Sequence, residues 1–403
     1  MHSIKYIILI LITTATIFGC CQQNQNLSKQ LPSNGNILPG AYSTGKYLSL
    51  LKGKRIGVVA NNTSLIGKTH LVDSLILLKI NVVKIFGPEH GFRGDQADGE
   101  TILNAKDLKT GIEVVSLYGN HQKPAPTDLK NIDIMIFDIQ DVGARFYTYI
   151  STLTYVMEGC AENNIPLIVL DRPDPNGYYV DGPVMEKAFQ SFVGLHPVPV
   201  IYGLTIGEYA TLVNGEKWLK DAVHCSLTII KCDNYTHNSR YQLPVRPSPN
   251  LQDMKAIYLY PSLCLFERTV VSVGRGTDKP FKVFGHPKFS NGSYSFTPLP
   301  IKGVSEDPPL KGQLCYGQNL EKAAEIIKKD GHFELKWLLE AYKNLNIQTE
   351  FFTANFDKLA GNSKLREQII AGKSETEIRK SWQPELDAFK KIRKKYLLYP
   401  DFE

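Results

Sequence analysis

The sequence predicts an α/β protein: a parallel sheet with helices on both faces, followed by a second half of different character. Two observations carry this. From Lys54 onward a short apolar run, a polar turn and a helical segment recur, and the apolar runs are continuous rather than alternating. Continuous apolar strands interleaved with helices belong to sheets buried on both faces. Past about residue 240 the rhythm stops, and a Pro-, Gly- and aromatic-rich stretch gives way to helices.

Taken in order, Arg55–Ala60 reads as the first strand through Ile56, Val58 and Val59. Leu71, Leu75 and Leu78 give His70–Leu78 helical spacing. Val82–Phe86 is a second strand, Glu113–Leu117 a shorter one, and Ile132–Phe137 a buried one. Tyr147–Cys160 reads as a helix, Ile165–Leu170 as a buried strand, Thr205–Trp218 as a helix and Ser226–Ile230 as a further strand. This domain is placed at residues 46–235. Across 236–403, Val270–Val273 is strand-like, and helices are expected at Leu320–Lys329, Leu335–Tyr342 and from Glu375 to about Tyr396. On the last, Trp382, Leu386, Phe389, Ile392 and Tyr396 share one face, a core-packing stripe.

Residues 1–19 differ in kind. Lys5 precedes an apolar run from Tyr6 to Phe18, then Gly19-Cys20-Cys21. The run is shorter than the ~20 apolar residues a bilayer span requires. It has the layout of a secretory signal, and the Cys after Ile17-Phe18-Gly19 resembles a bacterial lipobox. That resemblance makes Cys20 the lipid-modified first residue of the mature chain; the plainer alternative is a signal cut elsewhere. Residues 20–45, polar and Pro-containing, are expected to be a flexible tether. The expected location is the bacterial cell envelope, facing the periplasm or the exterior, with the lipid anchor as the one membrane contact. The later cysteines show no CxxC or zinc spacing and read as buried thiols, with one disulfide possible.

The 403 residues carry 46 Lys plus Arg against 40 Asp plus Glu, with 43% hydrophobic and 21% charged residues. That composition excludes a disordered chain, a collagen and a coiled coil. The basic excess is small and dispersed, which argues against a nucleic-acid partner.

Ligands of open α/β sheets bind beyond the carboxyl ends of the strands, and four such ends are densely polar. They are Asn61-Asn62-Thr63-Ser64, Gly87-Pro88-Glu89-His90-Gly91-Phe92-Arg93-Gly94-Asp95, the run Asp138 to Tyr147, and Asp171-Arg172-Pro173-Asp174-Pro175-Asn176-Gly177. Carboxylates, arginines, amides and tyrosines of this kind bind sugars and acids. Each has a structural alternative. Asp138 and Asp171 stand where Asp also caps helices, His90 can serve a loop carbonyl, and one of Tyr147 and Tyr149 can be core. Glu89 is the exception: no helix or strand rule calls for Glu in a rigid Gly/Pro loop. There is no GxGxxG after the first strand, no P-loop, no GxSxG elbow, no HExxH and no metal spacing. By elimination, carboxylate acid–base chemistry without a cofactor or a metal leads.

At these residues the chain resembles the NamZ-type exo-β-N-acetylmuramidases, glycoside hydrolase family 171. The segments that carry the likeness are Gly87 to Gly94, Phe137 to Tyr149, Leu170-Asp171-Arg172-Pro173 and Tyr202 to Glu208. In the second half they are Ser248-Pro249-Asn250, Phe266-Glu267, Ser272 to Thr277, Pro280-Phe281 and Gly285-His286-Pro287. Arg268 and Val273 depart from the pattern. The resemblance implies a Rossmann-like domain joined to a smaller α+β C-terminal domain with a cleft between them. It also implies release of terminal N-acetylmuramic acid from the non-reducing end of peptidoglycan fragments, with Glu89 catalytic.

On this reading Glu89 is the general acid, and Asp138, Asp141 or Asp171 supplies the second carboxylate or activates a water. Asn61, His90, Gln140, Asp141, Tyr147, Tyr149, Asn176, Glu208, Asn250 and Glu267 join Arg93, Arg145, Arg172 and Arg275 as expected substrate contacts. One of the four arginines is expected to hold the lactyl carboxylate, since guanidinium grips carboxylates in bidentate fashion. Retaining, inverting and substrate-assisted routes all stay open. The competing reading is a non-catalytic sugar-binding lipoprotein of a muropeptide uptake system; an esterase or amidase is disfavoured by the missing nucleophile elbow and metal cluster.

Overall fold

The computed structural model describes residues 35–93 and 105–403. The signal segment, Cys20, the first part of the expected tether, and Gly94 and Asp95 lie outside the described residues. Six strands form the expected parallel sheet: β1 (Arg55–Ala60), β2 (Asn81–Gly87), β4 (Glu113–Ser116), β5 (Ile134–Asp138), β6 (Leu167–Leu170) and β7 (Leu227–Ile230). A two-residue strand, β3 (Ala105–Lys106), adds antiparallel to β4 at one edge. The spatial order is β3-β4-β2-β1-β5-β6-β7. Leaving out β3, the sheet grows outward from β1 in both directions, the doubly wound order whose switch point lies between β1 and β5.

Side chains alternate across this sheet as a period of two requires. Val59, Phe86, Val115, Met135, Phe137, Leu167 and Val169 enter one buried cluster. Ile56, Val58, Ile85, Val114, Ile136, Ile168 and Ile230 enter the other. Helices α1 (Thr44–Leu51) and α2 (Leu71–Leu77) cover the second face with Tyr47, Leu51, Leu71 and Leu75. Helices α3 (Tyr149–Glu162) and α4 (Ile206–Gly215) cover the first with Leu153, Val156, Tyr209 and Val213. Both faces are apolar, which is why the strand runs are continuous.

The smaller second part holds a three-stranded antiparallel sheet, in which β10 (Cys315–Asn319) lies between β8 (Val283–His286) and β9 (Tyr294–Phe296). Its longer helices are α5 (Met254–Leu263), α6 (Glu321–Asp330), α7 (Lys336–Leu345) and α8 (Glu375–Arg393). The expected stripe on α8 packs as core: Trp382, Leu386 and Phe389 are buried in the same cluster as α3 and α4. Val270–Val273 is not a strand; Ser272 makes one isolated bridge to Gly285. Cys160, Cys225, Cys232, Cys264 and Cys315 are buried free thiols.

The tether ends sooner than expected. Leu38 and Asp233 exchange backbone bonds of 3.0 and 2.8 Å, and the Gly40 amide donates to the Asp171 carbonyl at 2.7 Å. A Cβ on Gly40 would sit 2.0 Å from the Ile230 carbonyl oxygen. Leu38 and Gly40 are therefore packed against the end of β7 and the residues just after it. The segment after α8 closes the same flank, where Tyr399 and Leu398 pack with Ile37: the Tyr399 hydroxyl donates to Asp171, the Leu398 amide to Glu208 at 2.7 Å, and Arg393 clamps Asp401 at 2.8 and 2.9 Å.

Candidate active site

A cavity of about 750 Å³ opens where the loops after β2, β4 and β5 meet the second part of the chain. That volume is in the range of small-molecule sites. The loop after β2 turns sharply: Gly91 donates to the Pro88 carbonyl at 3.0 Å, and His90 takes a positive φ of 70°. Non-Gly residues in that region cost of order 1–3 kcal/mol and gather at functional sites. The turn sets Glu89 and His90 on the cavity wall.

Glu89 is half-buried. Its Oε2 accepts from the Thr148 hydroxyl at 3.1 Å, and the Tyr118 hydroxyl bonds the same carboxylate. Burial, reinforced by the Glu89 charge, pushes the Tyr118 phenol well above its ordinary value. Thr148 is the N-cap of α3 and Tyr118 follows β4, so a helix start and a strand end fix this carboxylate. Tyr147 and Tyr149 pack edge to face at 4.8 Å and both line the cavity.

The second part supplies Ser248, Asn250, Tyr260, Glu267, Arg268, Arg275 and Phe281. Arg275 donates from Nε to Glu267 Oε1 at 2.5 Å and lies over the Phe281 ring at 5.0 Å. Burial pushes the Glu267 carboxyl up to about 7; the Cys264 thiol and the Arg268 charge oppose the rise and Glu89 adds to it. The Arg275 guanidinium in contact with it also works against the rise. Burial pulls Arg275 down to about 10, so it remains a cation at neutral pH.

Of the residues expected at the site, Glu89, His90, Tyr147, Tyr149, Asn250, Glu267 and Arg275 share this cavity. The other ten do not line it. Asp138 is fully buried and gripped by Arg172 at 2.6 and 2.9 Å, and neither lines the cavity. Asp171, also buried, accepts from the Thr205 hydroxyl, the Gly207 amide and Tyr399; burial still pushes it up to about 6. Arg145 spends its guanidinium on the carbonyls of Pro183, Val198, Leu359 and Ala360. Arg93 pairs with Asp107 at 2.9 Å and Asp73 at 3.4 Å.

The amides behave alike. Gln140 donates to the Asp141 and Pro173 carbonyls, and Asn176 to those of Val142 and Ile257. Asn61 lies beside Tyr149 but turns its Oδ1 to Thr63. Asp141 accepts from the Gly143 amide and the Tyr202 hydroxyl. Glu208 closes the capping box of α4 with Thr205 and meets His237 at 3.1 Å. These side chains tie loop to loop, because loop backbone has no ladder to satisfy it.

Tyr118, Thr148, Ser248, Tyr260 and Arg268 were not expected as site residues, although Thr148 and Ser248 lie in the segments that carry the family likeness and Arg268 departs from its pattern. Thr148 carries a signal in hindsight, standing at the start of a predicted helix where hydroxyl residues cap. Among the described residues no group of three or more His, Cys, Asp or Glu is placed to hold a metal.

Two family models match the chain. Residues 56–255 match the N-terminal, and residues 258–399 the C-terminal, domain of the exo-beta-N-acetylmuramidase NamZ. The peptidoglycan beta-N-acetylmuramidase NamZ of Bacillus subtilis (strain 168) is 41% identical over 377 residues, covering 88% of this chain and 89% of the relative. A DUF1343 family protein of Bacteroides fragilis NCTC 9343, BF0379, superposes with a TM-score of 0.85 at 46% identity, covering 91% of this chain and 99% of that one. BF0371 of the same organism gives 0.77 at 28% identity, covering 91% and 100%.

Proposed function

The chain belongs to the NamZ exo-β-N-acetylmuramidase family, and on that premise we propose that it releases terminal N-acetylmuramic acid from the non-reducing end of peptidoglycan-derived saccharides. The observation that carries this is the cavity that gathers Glu89, anchored by Thr148 and Tyr118, with the Glu267–Arg275 pair. Two carboxylates flanking the bond are what most glycoside hydrolases use.

Glu89 acts as general acid on the departing glycosidic oxygen. Glu267 takes the role first given to Asp138, Asp141 or Asp171: it faces the oxocarbenium-like transition state or activates the incoming water. A second reading exchanges the roles, and one observation favours it: burial raises the Glu267 carboxyl, as a proton donor requires, against the pull of its Arg275 partner.

Leaving-group chemistry tests both. A general acid matters most for a poor leaving group. On a muramyl–glucosamine disaccharide, Glu89→Gln should lose roughly two to four decades of turnover, and on a 4-nitrophenyl muraminide far less. Glu267→Gln should lose comparably on both. The opposite pattern exchanges the roles, and full turnover by Glu89→Gln rejects the catalytic assignment.

Sequence alone supports the cell-envelope location. Cys20→Ala should move the protein from the membrane to the soluble fraction; an unchanged membrane fraction rejects lipidation at Cys20.

A further inference from the structure

We propose that Arg268 reads the acid group of the sugar, as a carboxylate-binding position at the wall of the cavity. The inference deepens the proposed reaction and rests on its substrate class. The cavity is lined by four carboxylates, Glu89, Glu267, Glu306 and Asp307, and by two guanidinium groups, Arg268 and Arg275. An acidic sugar entering such a space meets repulsion unless a cation receives it.

Of the two cations, Arg275 is engaged: its Nε is bonded to Glu267 and its fork lies over Phe281. Arg93, Arg145 and Arg172 are spent elsewhere in the fold. Arg268 differs from all of them. It is exposed at the cavity, and among the described residues its side chain forms no hydrogen bond or ion pair. Its backbone, by contrast, is pinned. The Thr353 amide donates to the Arg268 carbonyl at 2.9 Å, Val270 donates to Phe351 at 3.1 Å, and Thr269 pairs with Phe352.

A fixed stem with a free planar fork is suited to capture a carboxylate through two parallel bonds. The Arg268 charge is also felt at Glu267. A carboxylate held there is therefore neighbour to the catalytic pair. The ligand class is a pyranose bearing a free lactyl carboxylate. Its amide, equal in shape and uncharged, lacks the recognised group.

The test is calorimetric binding of N-acetylmuramic acid and of its lactyl amide to the full protein and to Arg268→Gln and Arg268→Lys. The acid should bind the wild type more tightly than the amide. Arg268→Gln should weaken the acid by about 10- to 100-fold, the scale of a lost charge-assisted pair, and leave the amide close to its wild-type affinity. Arg268→Lys should recover part of the preference, as a point charge without the fork. A wild type that binds both alike, or an Arg268→Gln protein that keeps the preference or loses both ligands equally, overturns the inference. Turnover of a muraminide by the wild type is read separately. Absent turnover with the binding preference intact rejects the hydrolase reading and leaves Arg268 standing.

Discussion

Arg172 closes on Asp138 through two bonds, Nε to Oδ1 at 2.6 Å and Nη2 to Oδ2 at 2.9 Å, with both side chains sealed from solvent. The pair stands at the carboxyl end of the sheet, where a motif reader looks for catalysts, yet neither residue lines the cavity. Removing one partner strands the other charge. Asp138→Asn should cost about 3–5 kcal/mol of stability in a urea titration. The fraction that stays folded should turn over at near wild-type kcat. A stable Asp138→Asn protein with abolished kcat would return Asp138 to the reaction.

Thr148 positions Glu89 through one hydroxyl. Thr148→Val removes that bond and keeps the shape. We expect kcat to fall about tenfold, the scale of one lost hydrogen bond to a charged group, with KM nearly unchanged. Thr148→Ser should restore most of it. A rise in KM at constant kcat would mean that Thr148 touches the sugar instead.

Asp141 titrates against stability. Burial pushes its carboxyl from an ordinary 3.8 up to about 6. A carboxyl raised in the fold holds its proton in the native state after the unfolded chain has released it. Its contribution is thus complete below pH 3.8 and is lost as pH rises through about 6. The shift corresponds to about 3 kcal/mol. Asp141→Asn cannot titrate. Denaturation midpoints taken at pH 4 and pH 8 should show the variant gaining on the wild type at the higher pH. A constant gap between the two proteins would mean Asp141 is ionised throughout.

Gly143 has a φ of 75°, and a Cβ there would lie 2.4 Å from both carboxylate oxygens of buried Asp174. Gly143→Ala combines backbone strain with a clash that has no room to relax, so a loss of several kcal/mol is expected. A melting temperature within a few degrees of wild type would contradict the packing described for this loop.

The strands of the first half were legible because both sheet faces are buried and their runs stay apolar. Strand β3, two residues and antiparallel, has no such run. Helix α5 was missed because its Tyr258, Tyr260 and Pro261 read as part of an irregular aromatic stretch. At the site, Glu89 stood out because nothing in local structure demands it. The polar residues around it did not sort themselves. A Gln140 bound to a neighbouring carbonyl and an Asn250 on a cavity wall look the same in a sequence, since the difference is which way each side chain turns. Arg268 was visible as a departure from the family pattern, but only the commitments of the other arginines give it a role.

The clasp beyond α8 bears on how the chain reaches this fold. Asp171 waits for Tyr399, 228 residues downstream, and Glu208 for Leu398, 190 residues downstream. Until that segment arrives, two buried carboxylates of the sheet half lack donors that the finished fold gives them. Contacts of such long sequence separation form late and slow the final step. A fragment ending near residue 255 lacks both donors and should unfold at a lower urea concentration than the full chain.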